Sequence, residues 1–404
     1  MKITDVRSVK LQGELKRSEP IWEERLARPL DVYPEYRIQD VEEVMPSWMG
    51  RDPMDGIIPI SCVFAEVEAE DGTVGFAGPI DENQAFYIDR MVRPFVIGED
   101  SSANERIWDK MYRAIEYHGR KGLPMQALSA VDCAIWDLKG RLANEPVYRL
   151  LGGPLRDEIP AYASALGFAL DQDSIGRRMG EIIEQGYRAT KWFFRHGPGS
   201  GHQGMDENVR MVQMVREAAG DDFDIMFDCW RSWDVRYTIA MGERIAQYRP
   251  RWLEEPIFSD QVDAHATLRR TLPFPVSTGE HEYTRWGFKT LLDAGAADVI
   301  QPDVLWAGGI TELIKICGLA STYDVQVVPH AHTVATAHVL AVQPASLCPM
   351  LEFLMNHSIA HQFFFEQPIV PRNGVVTLPQ GPGLGVNIDN NKVQQKQIMR
   401  WESI

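Results

Sequence analysis

Eight short apolar runs, separated by longer amphipathic stretches, constrain the fold of this chain more than any other feature. From the first run to the last, the units average about 27 residues, which is the length of one strand and one helix with their loops. Eight such units predict a (β/α)8 barrel, a modified TIM barrel, in the α/β class. The runs lie at 159–165, 189–194, 223–228, 251–256, 275–279, 297–302, 325–330 and 351–355. The alternative is an open doubly wound sheet, but no Gly-x-Gly-x-x-Gly turn follows the first run.

The stretch before these units predicts a separate α+β domain. Two strand patterns flank the dipeptide Asp71-Gly72, which indicates a β-hairpin. Helical patterns follow at 105–117 and 126–142, and the second has apolar residues at spacings of three and four. The expected parts of the chain are an N-terminal α+β domain at 1–155, a barrel at 156–367 and a C-terminal segment at 368–404 that packs back on the first domain.

An irregular segment at about 20–51 lies within the first domain. It contains Trp22, Trp48, several prolines and many charges, without a clear period. Long irregular segments in compact domains often act as lids over a binding site. The alternative is a surface loop that is anchored by its aromatic side chains.

Charge and cysteine content exclude several classes of function. The chain has 41 basic and 57 acidic residues, a net charge of −16, and no basic run, so we expect neither nucleic acid nor an anionic membrane as a partner. It has no apolar stretch long enough for a signal peptide or a membrane span. The five cysteines are far apart and form no Cys-x-x-Cys pair, which predicts free thiols in the cytoplasm.

Acidic residues and one histidine stand at the ends of six consecutive strand runs. Strand C-termini of a barrel meet at one face, which is the face that carries active sites. Their gaps of 26, 26, 23, 27 and 22 residues correspond to one strand–helix unit each. The six residues are Asp228, Glu254, Glu280, Asp303, His330 and Glu352. A single acidic residue at such a place is usually a helix cap or a surface charge, but six in register indicate one shared site.

The chemistry of this set predicts a metal ion and an acid/base pair. Asp228, Glu254 and Glu280 fall on neighbouring strands, and clustered carboxylates require a cation to be ionised together. Oxygen ligands favour Mg²⁺, with Mn²⁺ as a substitute. Asp303 and His330 follow on the next two strands, where a carboxylate would fix the tautomer of the imidazole and raise its basicity. The pair His330-x-His332 leaves a zinc site as a less favoured alternative.

These residues resemble the enolase superfamily, and specifically its mandelate racemase-like branch. The likeness covers nearly the whole chain, and several stretches resemble most those of L-rhamnonate dehydratases. The matching motifs are Phe227-Asp228-Cys229-Trp230, Leu253-Glu254-Glu255-Pro256, Gly279-Glu280-His281-Glu282, Gln301-Pro302-Asp303, Val328-Pro329-His330, Glu352-Phe353-Leu354-Met355 and the segment 146–153.

The resemblance implies a role for each matched residue. It implies Mg²⁺ on the three carboxylates, His330 with Asp303 as the catalytic acid/base, and Glu352 beside the substrate carboxylate as a donor or an orienting group. It also implies that the N-terminal domain caps the barrel, with the 20–51 segment closing over the substrate. We expect four substrate-binding residues: Lys191, Arg51, Trp22 and His281. Homo-oligomers are common in this branch, so we expect one here.

Two departures from the family pattern bear on the reaction. Racemases of this branch carry Lys-x-Lys on the second barrel strand, and here Phe193 replaces the second lysine. One base favours elimination over racemisation, so we predict a hydro-lyase that converts a sugar (aldonic) acid to a 2-keto-3-deoxy acid. Ile21 precedes Trp22 where rhamnonate dehydratases have a histidine. An L-rhamnonate-like substrate is therefore favoured, with another aldonate such as L-lyxonate as an alternative.

Three other activities remain as competitors. An epimerase or racemase of the same superfamily would exchange the C2 proton without loss of water. A zinc hydrolase on a barrel would need histidines on the early strands, and the first run has none. A binding protein that kept only the fold would not need the complete set of acid/base and metal residues.

Overall fold

The computed structural model describes residues 1–37 and 55–401. The N-terminal part of the chain contributes three strands to a four-stranded antiparallel sheet. The order of this sheet is β13-β1-β2-β3, so the last strand of the chain pairs with the first. Its strands are β1 (Ile3–Lys16), β2 (Ile57–Ala69), β3 (Val74–Ile80) and β13 (Gln395–Met399). The hairpin of β2 and β3 matches the one predicted around Asp71-Gly72.

Helices cover one face of this sheet. They are α1 (Glu82–Tyr87), α2 (Arg93–Val96), α3 (Asn104–Glu116), α4 (Leu123–Ala143) and α5 (Val147–Leu150), with a π-helical turn at Ile88–Val92. Helix α4 lies so close to β3 that a Cβ atom on Gly75 would come within 2.2 Å of the Leu138 amide nitrogen. Glycine is therefore required at this contact between β3 and α4.

The second region is a barrel of eight parallel strands in the order β10-β9-β8-β7-β6-β5-β4-β11. The Val327 amide donates to the Leu347 carbonyl at 2.8 Å, which links β10 to the segment before β11. The strands are β4 (Glu158–Ser164), β5 (Ala189–Phe193), β6 (Asp224–Asp228), β7 (Trp252–Glu254), β8 (Val276–Thr278), β9 (Val299–Ile300), β10 (Gln326–Val327) and β11 (Leu351–Leu354). A short strand, β12 (Val375–Thr377), runs antiparallel to β4.

One helix follows each barrel strand. These are α6 (Gln172–Glu184), α7 (Gly201–Ala219), α8 (Val235–Ile245), α9 (Val262–Thr271), α10 (Thr284–Asp293), α11 (Gly309–Ser321), α12 (Thr333–Leu340) and α13 (Met355–His361). Apolar and polar residues do not alternate along these strands, because helices cover the outer face of the barrel and side chains fill its interior. All eight predicted runs overlap a strand, so the predicted modified TIM barrel with an additional N-terminal α+β domain is confirmed.

The first part of the predicted lid packs on the barrel rim. Trp22 lies over Gly167, where a Cβ atom would come within 2.4 Å of the indole, and the amides of Glu23 and Glu24 donate to the Gly167 carbonyl. Two short 3-10 turns follow, at Pro29–Val32 and Pro34–Tyr36. The rest of the predicted lid, with Arg51, lies outside the described residues. Within the described ranges, no helix combines the length and the apolar character that crossing a membrane requires.

Candidate active site

The six predicted strand-end residues come together at one end of the barrel. Asp228 and Glu254 are the last residues of β6 and β7, Glu352 lies within β11, and the other three follow β8, β9 and β10 by two or three positions. A cavity of about 510 Å³ lies between this end and the N-terminal domain. Of the predicted site residues that the structure describes, those that line it are Trp22, Asp228, Glu280 and His330.

His330 and Asp303 form a hydrogen-bonded pair beside the cavity. His330 Nδ1 donates to Asp303 Oδ2 at 2.9 Å, and the Leu305 amide donates to Asp303 Oδ1 at 2.7 Å. A carboxylate only accepts, so Nδ1 carries the proton and Nε2 is left to act as a base. Nε2 lies 3.6 Å from Glu280 Oε1 and 3.9 Å from Glu352 Oε2. Burial opposes protonation of His330, but the charge of Glu280 and the Asp303 hydrogen bond raise its pKa to about 10. A cation held by Glu280 would offset that charge and lower this pKa, which leaves Nε2 unprotonated to act as a base.

Lys191 does not line the cavity; it lies beneath the carboxylates and is fully buried. Its ammonium binds Glu254, approaches Glu352 Oε1 at 2.8 Å and lies 3.5 Å from Asp228 Oδ2. Burial alone would lower the pKa of Lys191, but the charges of Glu254 and Glu352 raise it well above its usual value. The structure therefore places Lys191 as a fixed cation of the carboxylate cluster, away from the cavity wall where substrate would bind.

Glu352 is held as a carboxylate. Burial would raise its pKa, but the charges of Lys191 and His330 lower it to about 2. Its Oε2 accepts from the Ala331 amide at 3.2 Å, next to the catalytic pair. The contact with the Ala331 amide fits the orienting role predicted for Glu352, and its role as a donor stays a prediction.

Asp228 and Glu254 are oriented by neighbours that the sequence did not reveal. Trp252 Nε1 and Gln301 Nε2 donate to Glu254 Oε2 at 3.0 and 2.7 Å, and the Trp230 amide donates to Asp228 Oδ1 at 2.8 Å. Gln301 belongs to the motif Gln301-Pro302-Asp303, and its position directly after β9 is the signal for it in the sequence. Burial raises the pKa of Asp228 to about 6 and that of Glu254 to about 7.

The donor set of the predicted metal residues fits Mg²⁺. Asp228, Glu254 and Glu280 offer only oxygen atoms, and their raised pKa values show buried carboxylates that a divalent cation would hold ionised. The oxygen atoms of these three carboxylates are nevertheless farther apart than the ligand atoms of a second group of residues. Within the described ranges, the group of three whose ligand atoms all lie within 4.8 Å of one another is Glu255, Glu280 and His281.

Glu255 and His281 form a charge-paired unit behind Glu280. His281 Nδ1 donates to Glu255 Oε2 at 2.7 Å, and Arg231 Nε lies 3.7 Å from the same oxygen. Burial would raise the pKa of Glu255, but the charge of His281 lowers it to about 2. The ring of His281 packs between Trp230 and Trp306, and His281 does not line the cavity, so the structure does not bring this predicted substrate-binding residue to the cavity wall.

Comparison with known proteins assigns the chain to a family. Residues 175–392 match the family described as enolase C-terminal domain-like, and residues 38–152 match the N-terminal domain of mandelate racemase and muconate lactonizing enzyme. This chain belongs to the enolase superfamily. An L-rhamnonate dehydratase of Saccharopolyspora erythraea is 39% identical to this enolase-superfamily chain over 96% of its length and 97% of the relative. A putative L-rhamnonate dehydratase of Caldivirga maquilingensis is 37% identical, over 91% and 88%.

Solved structures of other superfamily members share this fold. The crystal structure of L-rhamnonate dehydratase from Gibberella zeae superposes with a TM-score of 0.83 at 32% identity, over 97% of this chain and 94% of that one. The same fungal enzyme complexed with Mg superposes with a TM-score of 0.82 at 31% identity, over 97% and 96%. The predicted membership of the mandelate racemase-like branch is thus confirmed.

Proposed function

We propose that this chain is a Mg²⁺-dependent dehydratase of an aldonic acid of the L-rhamnonate type. In this reaction the C2 proton is removed, the C3 hydroxyl leaves as water, and the product is a 2-keto-3-deoxy acid. The observation that carries the proposal is the contrast between two basic groups. His330 faces the cavity with Nε2 available, whereas the Lys191 ammonium is bound by three carboxylates outside it.

The contrast matters because racemisation is simplest with a base on each face of the substrate carbon. Phe193 stands where racemases of this branch carry their second lysine, and Lys191 is committed to carboxylates. Elimination needs only one group that first accepts and then donates a proton. The dehydratase names of the relatives confirm the prediction of an enzyme, and they support the carbon–oxygen lyase class that one base favours.

Asp228, Glu254 and Glu280 would hold the Mg²⁺ ion. When bound there, the ion would neutralise the negative charge that develops on the substrate carboxylate as the C2 proton leaves. Lys191 fixes Glu254 and Glu352 from below, and Gln301 fixes the second oxygen of Glu254. Structures of relatives complexed with magnesium support the choice of ion.

His330 would carry the proton through both halves of the reaction. Its neutral Nε2 takes the C2 proton, and Asp303 stabilises the resulting imidazolium through Nδ1. The imidazolium then protonates the departing C3 hydroxyl on the same face, so that water leaves and His330 returns to its neutral form. The enol that remains tautomerises to the 2-keto-3-deoxy acid.

The test uses the purified chain with Mg²⁺ and a panel of aldonic acids, L-rhamnonate and L-lyxonate among them. We expect 2-keto-3-deoxy product, detected as its semicarbazone, that disappears on addition of EDTA. His330→Asn should abolish both turnover and C2 proton exchange while Mg²⁺ binding is kept. Turnover by that variant would refute the role of His330. Exchange of deuterium at C2 without loss of water in the unaltered chain would favour the epimerase alternative.

A further inference from the structure

Three histidines line one side of the cavity, where the chain enters α12 and along α13. The ring of His332 lies parallel to that of His361, with centroids 5.8 Å apart and an angle of 5°. His361 meets the edge of His357 at 5.7 Å, and His357 meets the edge of Trp22 at 5.1 Å. These rings form a continuous wall from the catalytic pair to the lid segment, and we call it the histidine wall.

The histidine wall begins at the catalytic carboxylate. His332 Nε2 lies 3.5 Å from Asp303 Oδ2, the oxygen that also accepts from His330. The backbone at this place is unusual, because Ala331 and His332 adopt φ values of 47° and 44°. Two successive non-glycine residues in the left-handed region are costly, and such strain is kept where it places a functional side chain.

The imidazoles of the wall are uncharged at neutral pH. Burial lowers the pKa of His357 to about 3 and also lowers the pKa values of His332 and His361, with a further contribution from the neighbouring imidazoles. A neutral imidazole presents one donor and one acceptor, which is the pattern of a hydroxyl group. On the lid side, by contrast, the cavity wall is cationic: Arg25 Nη1 lies 3.0 Å from Asp31 Oδ2, and Arg28 Nε lies 3.7 Å from Asp31 Oδ1.

We propose that His332, His357 and His361 form a subsite for the distal hydroxyls of the substrate, so that this chain prefers an aldonic acid with a hydroxyl on C6 to its 6-deoxy counterpart. This inference rests on the proposed function and specifies its substrate. A terminal methyl group against the histidine wall would offer these polar rings no hydrogen-bond partner, which is unfavourable. A hydroxyl both donates and accepts, so it supplies one.

The test compares two acids with the same configuration at C2 to C5. L-Rhamnonate ends in a methyl group, and L-mannonate has a hydroxyl on that carbon. We expect kcat/KM of the wild-type chain to favour L-mannonate by about tenfold or more, the effect of one buried hydrogen bond. His357→Leu and His361→Leu should each reduce this ratio by about tenfold, mainly by lowering kcat/KM for L-mannonate. His361→Gln should retain most of the ratio.

The control is His338→Asn, which replaces a fully buried histidine that does not line the cavity and should leave the ratio unchanged. Thermal unfolding checks that each variant is folded. If a leucine variant is not folded, His357→Phe or His361→Phe, which keeps a ring in the wall, replaces it in the assay. An unchanged ratio in the folded variants overturns the inference, as does a wild-type preference for L-rhamnonate.

Two further outcomes separate this inference from the proposed function. Faster turnover of an aldaric acid than of either aldonate overturns the inference, because a second carboxylate would then be bound, by groups such as Arg25 and Arg28. Turnover of neither aldonate by the wild-type chain overturns the proposed function itself. Turnover of both acids at ratios that do not depend on the histidine wall leaves the proposed function standing.

Discussion

Replacing Lys191 by methionine tests whether a buried cation holds the carboxylate cluster together. The Lys191 ammonium has no exposed surface and contacts Glu254, Glu352 and Asp228. Methionine fills a similar volume but leaves three buried carboxylates without this charge. Removing one partner of a buried ion pair costs about 3–5 kcal/mol. With about 2 °C per kcal/mol, as expected for a large domain, Lys191→Met should lower Tm by about 6–10 °C.

The assay is thermal unfolding at pH 8, with EDTA and with saturating Mg²⁺. The loss in Tm should be smaller with Mg²⁺, because a cation among the same carboxylates replaces part of the missing charge. The matched control is Lys289→Met, whose lysine and its partner Asp293 are both about half exposed. Such a pair contributes about 0–1 kcal/mol. A Tm for Lys191→Met within about 1 °C of the wild-type value in EDTA would refute the reasoning.

Three further predictions follow from the packing and charges described above. Burial lowers the pKa of His338 to about 4, so between pH 6.5 and 4 the unfolded chain takes up a proton that the folded chain does not. The free energy of unfolding therefore decreases as the pH is lowered across this window, by up to about 3 kcal/mol. His338→Asn should remove this part of the pH dependence in urea unfolding at pH 7 and 4.5. Gly75→Ala should push α4 from the sheet and cost about 1–3 kcal/mol, measured by the same method. Asp228→Asn should weaken Mg²⁺ binding by about a hundredfold or more and His281→Asn by about tenfold at most, measured by calorimetry; the reverse order would place the ion with His281.

The barrel could be predicted from the sequence because its signal is local and repeated. Each strand is a short apolar run, and each is followed by an amphipathic stretch of nearly constant length. The strand-end residues could be predicted for the same reason, since a parallel barrel brings every strand C-terminus to one face. The pairing of His330 with Asp303 follows from two adjacent strands and one fixed spacing.

The partners of buried charges could not be predicted in this way, because they depend on side-chain directions inside the barrel. Lys191 was expected at the substrate, but it points beneath the cavity floor and binds three carboxylates. His281 was expected at the substrate as well, but it pairs with Glu255 behind Glu280. Gln301 has no periodic signal that assigns it to Glu254 rather than to solvent.

The sequence by itself therefore determined the architecture and the chemical groups at the barrel mouth, because both are fixed by periodicity along the chain. The tertiary structure alone decided which of those groups face the cavity and which compensate one another's charge. It also brought His332 into one wall with His357 and His361, which lie 25 and 29 positions further along the chain. Contacts of this kind arise from the packing of α12 and α13 around the cavity, and no local pattern in the sequence encodes them.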